Sequence, residues 1–194
     1  MRDNIRGEGR DMSTKTQATV EDLYRVPENG KAEIVNGELI LMPPTGDMPS
    51  RAAFNIASSL REFARGKNIG RAYPDNTGYK VNLPDRDSFS PDASFYTGKS
   101  TGMKFLEGAP MFAVEVRSEF DYGKNAEKAI TRKRNDYFAA GTLVVWDVDL
   151  LGEATIKVYR ASDPNHPTTY RRGETAEAEP AVPGWTMPVD ELFD

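Results

Sequence analysis

Residues 110–149 constrain the fold more than any other part of the chain. "PMFAVEVRS" (110–118) reads as a strand, "GKNAEKAITRKRNDYFAAG" (123–141) as a helix ended by Gly141, and "TLVVWDVD" (142–149) as a second strand. Two strands joined through a helix pair in parallel, with a right-handed crossover. Other segments call for antiparallel pairing. In "KAEIVNGELILMPP" (31–44), Asn36-Gly37 sits between alternating apolar residues, the signature of a tight hairpin. "EATIKVYR" (153–160) pairs back on 142–149 through a short Leu-Leu-Gly turn. The fold class that follows is α/β, a mixed central β-sheet flanked by helices.

The remaining elements fit that frame. "ATVEDLYRVP" (18–27) is a short helix with Thr19 as N-cap and Pro27 as stop. "SRAAFNIASSLREFARGK" (50–67) places Ala53, Ile56, Ala57 and Leu60 on one helical face and ends near Gly66. "TGYKVNLP" (77–84) alternates as a strand, and "EAEPAVPGWTMPVDELF" (177–193) is a tail that docks by Trp185, Leu192 and Phe193. Residues 1–16 are polar and are expected to form a disordered tail, with Met12 an alternative start. Residues 17–194 are then one domain, a length that supports a real core.

Composition excludes several chemistries. With no cysteine there is no disulfide, thiolate metal site or cysteine nucleophile. The only histidine, His166, lies between Pro164 and Pro167 in an expected surface loop, so histidine-based metal or triad chemistry lacks a second member. No apolar run reaches the ~18–20 residues of a membrane helix, and the N-terminus lacks the apolar core of a secretion signal. A cytoplasmic location is expected. The net charge of −5 gives no global attraction to nucleic acid, so any basic surface must be local. "ASFYTGKS" (93–100) ends like a phosphate-binding loop, but Ala93 stands where the first glycine is required.

What carries chemistry is a set of charges in apolar strands. In 111–117, Phe112, Val114 and Val116 point one way, while Met111, Ala113, Glu115 and Arg117 point the other. In "FSPDASFY" (89–96), Asp92 shares a face with Ser94 and Tyr96. If the two strands are neighbours, Asp92 and Glu115 meet at one sheet end and invite a divalent cation, which magnesium chemistry satisfies with one or two carboxylates plus water. The plainer alternative has Asp92 capping a turn and Glu115 paired with Arg117 at an exposed edge. On the helix, Ala126, Ile130, Lys133, Tyr137 and Ala140 form one stripe. Lys133 either snorkels to solvent from there or reaches the carboxylates. Lys128, Arg132 and Arg134 offer a local basic patch, or simply a solvated face.

Pro91-Asp92, Glu115-Val116-Arg117-Ser118, Lys133 four before Tyr137, Gly141 and "VVWDVD", in that order, resemble the Uma-type restriction endonuclease family of the PD-(D/E)XK nuclease superfamily. The resemblance extends from about residue 19 to 193. It implies a restriction endonuclease-like core and a metal-dependent endonuclease acting on DNA. It also implies Mg2+ (with Mn2+ as substitute) held by Asp92, Glu115 and the Val116 carbonyl. In that superfamily the lysine sits two residues after the glutamate, where this chain has Arg117; relatives supply it from the following helix, at the place of Lys133. Arg117 would then contact phosphate or orient Glu115. Family members also often carry a histidine early in the first long helix, where residues 50–53 here are Ser-Arg-Ala-Ala. A homodimer or higher homo-oligomer is expected, since symmetry presents two sites to a duplex. The rival reading is a catalytically inactive member that keeps the fold as a binding or assembly module.

Overall fold

The computed structural model describes residues 17–26, 30–151 and 154–194. The expected tail (1–16), Pro27 and Gly152 lie outside the described residues. Asn36 and Gly37 both take positive φ, 51° and 70°, the geometry a two-residue hairpin turn demands. They join β1 (Lys31–Val35) to β2 (Glu38–Met42), with Val35 opposite Glu38. Ahead of the hairpin, helix α1 (Val20–Leu23) is capped through Asp22, whose carboxylate accepts from the Thr19 backbone N–H and hydroxyl.

Helix α2 (Asp47–Ala64) buries Ala53, Ile56, Ala57 and Leu60, the face its spacing predicts, together with Ala52. It begins three residues before the expected start because Pro49 is tolerated in a first turn. The chain then runs through β3 (Arg71–Pro74), β4 (Tyr79–Leu83), β5 (Arg86–Phe89), β6 (Ala93–Tyr96), β7 (Leu106–Glu107) and β8 (Phe112–Val116). Helix α3 (Lys124–Ala139) leads to β9 (Val144–Asp149), β10 (Thr155–Arg160), β11 (Asp163–Arg171), β12 (Thr175–Glu177) and β13 (Thr186–Pro188), and the chain closes on a 3₁₀ turn at Val189–Leu192. Among the described residues no helix is long and apolar enough to cross a membrane.

The strands form a mixed six-stranded sheet, ordered β11-β10-β9-β8-β6-β3, a five-stranded sheet, β2-β1-β5-β4-β7, and the β12-β13 ribbon. The crossover through α3 makes β8 and β9 parallel, with Glu115 opposite Asp147, while β6 lies antiparallel to β8 with Ala93 opposite Val114. The single mixed sheet expected from sequence is thus accompanied by a second one. The unforeseen strands β3, β5, β7, β12 and β13 are two to four residues long, too short for an alternation to register. The unforeseen β11 is nine residues long and contains His166, expected in a loop. It is an edge strand, where Pro164 and Pro167 need no ladder N–H on the open side.

One face of the larger sheet carries Phe95, Phe112, Val114 and Trp146 against α2 and the C-terminal tail. The other carries Tyr96, Ala113 and Val145 against Tyr79 and Phe89 of the second sheet and Tyr137 of α3. On α3, Tyr137 is buried as its stripe predicts, but Arg134 is buried too. Its guanidinium lies 3.7 Å from the centre of the Tyr159 ring, so Arg134 does not belong to a surface patch. Trp185 ties the tail down: its ring centre is 5.0 Å from Trp146 and 5.6 Å from Phe112, and its Nε1 donates to Ser59 at 3.2 Å. Trp185→Ala is expected to cost about 3–5 kcal/mol in urea unfolding, while Phe54→Ala, at an exposed position of α2, stays within about 0.5 kcal/mol.

Candidate active site

The ladder between β6 and β8 ends at Ala93 and Val114, and Asp92 continues it by other means. Its backbone N–H still donates to the Val114 carbonyl at 3.0 Å, and its Oδ2 accepts the next free N–H of the strand, that of Val116, at 2.8 Å. An aspartate at the mouth of an apolar strand is therefore a strand-end cap whose second oxygen, Oδ1, is left for a cation. Strand β8 lies between β6 and β9, so Glu115 is on a central strand and not at an exposed edge.

Glu115 projects from the face opposite Val114 and Val116, toward α3. Its Oε1 accepts from the Tyr137 hydroxyl at 2.7 Å and its Oε2 from Lys133 Nζ at 2.8 Å. Lys133 and Tyr137 are one helical turn apart, which lets both reach one carboxylate. Lys133 Nζ is also 2.9 Å from Glu33 Oε1. Glu33, on β1, is buried and further held by the Ser90 N–H at 2.9 Å and by Arg86 Nη1 at 2.6 Å. Arg86 in turn donates to Asp136 at 2.8 Å. Two residues before Glu33 on the same strand face, Lys31 Nζ contacts Asp92 Oδ1 at 2.6 Å and Asp75 Oδ1 at 2.7 Å.

Of the residues singled out from sequence, Asp92, Glu115, Val116 and Lys133 come together. Glu33 and Lys31 join them unforeseen. Glu33 did carry a signal, since "AEIV" sets a carboxylate among apolar strand residues as "FAVEV" does. Arg117 lines the same groove, but its charge is engaged elsewhere. Its guanidinium is 5% exposed and makes a two-pronged pair with Asp147, both bonds 2.7 Å, and a further contact with Glu127. Instead of orienting Glu115, it fastens β8 to β9 and to the start of α3.

The charges set one another's protonation. Burial, opposed by Lys133 and reinforced by Asp92 and Glu33, pushes the Glu115 carboxyl up to about 7. Burial works against the Lys133 ammonium, but Glu115 and Glu33 outweigh it and raise its pKa, so Lys133 stays a cation at neutral pH. Burial alone would raise Glu33, yet Lys133 and Arg86 hold it below the usual carboxylate range. Burial, with Glu115 and Glu33 adding to it, raises the Tyr137 hydroxyl well above its ordinary value, leaving it a hydrogen-bond donor.

Lys31, Glu33, Asp92, Glu115, Val116 and Lys133 line a groove of about 780 Å³, with Lys128 and Arg132 of α3 along its wall. Among the described residues no group of three or more His, Cys, Asp or Glu side chains is arranged to hold a metal. A centre of two carboxylates, one carbonyl and water is nevertheless within the range of magnesium coordination. The donor set fits such an ion in two respects. Asp92 Oδ1 already attracts a cation, the Lys31 ammonium. The Val116 carbonyl points to the same side of β8 as its N–H, toward Asp92, because paired strand residues present both groups to one neighbour.

The Arg117 pairing has a measurable consequence. Asp147→Ala leaves a buried guanidinium without its main partner and is expected to lower unfolding free energy by about 3–5 kcal/mol. Glu127→Ala, at a half-exposed site, is expected to cost no more than about 1 kcal/mol in the same measurement.

A family model described as "Putative restriction endonuclease", the Uma2 family, matches residues 20–190. A solved crystal structure from Anabaena variabilis ATCC 29413, described as "a putative nuclease belonging to DUF820", superposes with a TM-score of 0.70. Sequence identity is 19%, over 91% of this chain and 97% of that one, and a likeness at this level shows a common fold. No curated protein matches the sequence. The matched span takes in the β1–β2 hairpin, both strands of the carboxylates and all of α3, and the chain belongs to the Uma2 family.

Proposed function

We propose that the protein is a divalent-metal-dependent endonuclease that hydrolyses DNA phosphodiester bonds, with Mg2+ or Mn2+ held by Asp92, Glu115 and the Val116 carbonyl. The observation that carries the reading is the convergence of Asp92, Glu115 and Lys133 on one groove. A metal bound there would lower the pKa of a coordinated water and offset charge on the phosphate. Asp92 and Glu115 hold oxygens at fixed positions, Asp92 by the Val116 N–H and Glu115 by Tyr137. Lys133 remains protonated, so its role is that of a fixed cation beside the phosphate and not that of a general base. Glu33 and Glu115 aim the ammonium from two sides.

The exposed Lys128 and Arg132, one turn apart on α3, suit contact with a nucleic-acid backbone. They supply locally the positive charge that the whole chain, at −5, lacks. The proposal includes a single domain over 17–194, a cytoplasmic location and a homodimer that offers two grooves to a duplex. In this reading Arg117, paired with Asp147 and Glu127, braces the wall of the groove and does not contact phosphate. The rival reading, an inactive binding or assembly module, draws on one observation: both carboxylates already have ammonium partners.

Plasmid and single-stranded DNA cleavage with Mn2+ separates the two. Wild type is expected to nick DNA, Asp92→Ala and Glu115→Ala to abolish nicking, and Lys133→Ala to slow it about 10²–10³-fold. No nicking under any metal condition supports the binding module; nicking that survives all three substitutions comes from another protein.

Protonation adds a second test. The Glu115 carboxyl, raised from 4.5 to about 7, stabilises the fold in its protonated form below about 4.5 and loses that contribution as pH rises through about 7. A cation competes with that proton. The rise in melting temperature with millimolar Mn2+ is therefore expected to be larger at pH 8 than at pH 6, and nearly flat across that range in Glu115→Gln. Equal shifts at both pH values in wild type would count against Glu115 as a ligand.

A further inference from the structure

The hairpin brings one ammonium that the proposed chemistry leaves unused. Lys31 Nζ sits between Asp92 Oδ1 at 2.6 Å and Asp75 Oδ1 at 2.7 Å. The Lys31 and Asp92 side chains are each 13% exposed, whereas Asp75 is 39% exposed and lies at the rim. Asp92 Oδ2 is committed to the Val116 N–H, so Oδ1 is the oxygen left for a cation, and Lys31 holds it.

Every acid at the centre of the site already has a cation, and Asp75 and Asp136 add two more carboxylates at its margin. Glu33, Asp92 and Glu115 face Lys31, Lys133 and Arg86. A divalent ion arriving at Asp92 Oδ1 would meet the Lys31 ammonium at the same oxygen, and like charges that close repel strongly. Arg86 and Lys133 are each locked between two acids. Lys31 differs in having one partner inside the site and one at its rim. A lysine is a compact charge on a flexible stem, and a small rotation keeps one partner while releasing the other.

We propose that Lys31 is a displaceable counter-cation: it neutralises Asp92 in the metal-free protein and withdraws onto Asp75 when a divalent ion takes Asp92 Oδ1. Asp75 is then a positioning residue that acts through Lys31 and sets metal affinity without touching the metal. This rests on the reading of Asp92 and Glu115 as metal ligands.

The test is calorimetric titration of the full chain with Mn2+, and separately Ca2+, without DNA. Lys31→Met keeps the aliphatic stem and removes the competing charge, and is expected to bind about ten-fold more tightly than wild type. Asp75→Asn takes away the place of withdrawal and is expected to bind several-fold more weakly. In the Lys31→Met background, Asp75→Asn has no further effect, because its influence passes through Lys31. Lys31→Gln checks the result if the methionine variant folds poorly. Unchanged or weaker binding in Lys31→Met overturns the proposal, as does an Asp75→Asn effect of equal size in both backgrounds, which marks plain long-range electrostatics. If wild type binds and Asp92→Ala does not, the ligand reading stands whichever way Lys31 behaves. If neither wild type nor Lys31→Met binds metal, both fall.

Discussion

Lys133 joins the two sheets through the helix that packs against both. Its ammonium lies between Glu115, on the six-stranded sheet, and Glu33, on the five-stranded one. Two carboxylates at such depth repel each other unless a cation stands between them. The helix that carries the cation must therefore lie where it does, and the hairpin that carries Glu33 must close over it. Arg86 completes the arrangement by tying Glu33 to Asp136 on the same helix. A buried network of this kind adds little net stability over an apolar core. What it does fix is position: three elements are held at one groove by the charges they share.

How much of this is legible in the sequence depends on the range of the contact. Glu115 stands out locally, because strand periodicity puts it opposite a core face of Phe112, Val114 and Val116. Lys133 stands out because helical periodicity puts it in a stripe with Ala126, Ile130, Tyr137 and Ala140. Lys31 and Glu33 belong to a segment whose turn dominates its reading, and their partners are distant: Asp92 is 61 residues from Lys31. Nothing within the hairpin announces which acid or lysine it will meet. Beyond its hairpin, strand β1 has one ladder pair, Val35 opposite Arg86, and side-chain bonds to Ser88 and Arg86 of β5, and β5 is too short and polar to be recognised first.

Arg117 shows the limit of face assignments. Spacing places it beside Glu115 on the strand, which is correct for the face and silent about lateral direction. The deciding residue is Asp147, which interrupts "VVWDVD" as Glu115 interrupts "FAVEV", and it lies opposite Glu115 in the parallel register. Its two oxygens accept a two-pronged pair that only a planar guanidinium can complete. An apolar strand with one carboxylate poses one question; two such strands side by side require knowing which cation each receives.

That allocation explains why arginine occupies the strand position and lysine the helix. A lysine at 117 would give Asp147 one bond in place of two and leave the β8–β9 junction weaker. An arginine at 133 would bring a rigid fork where a single point charge must sit between two carboxylates and still face a groove. Each cation matches the geometry of its acids. The strand position acts as a fastener, and the charge nearest Glu115 comes from a helix whose exposed side carries Lys128 and Arg132 along the same groove. One helix thus sets both the charge at the centre of the groove and the charge along its wall, so a chain of net charge −5 still carries a locally basic stretch.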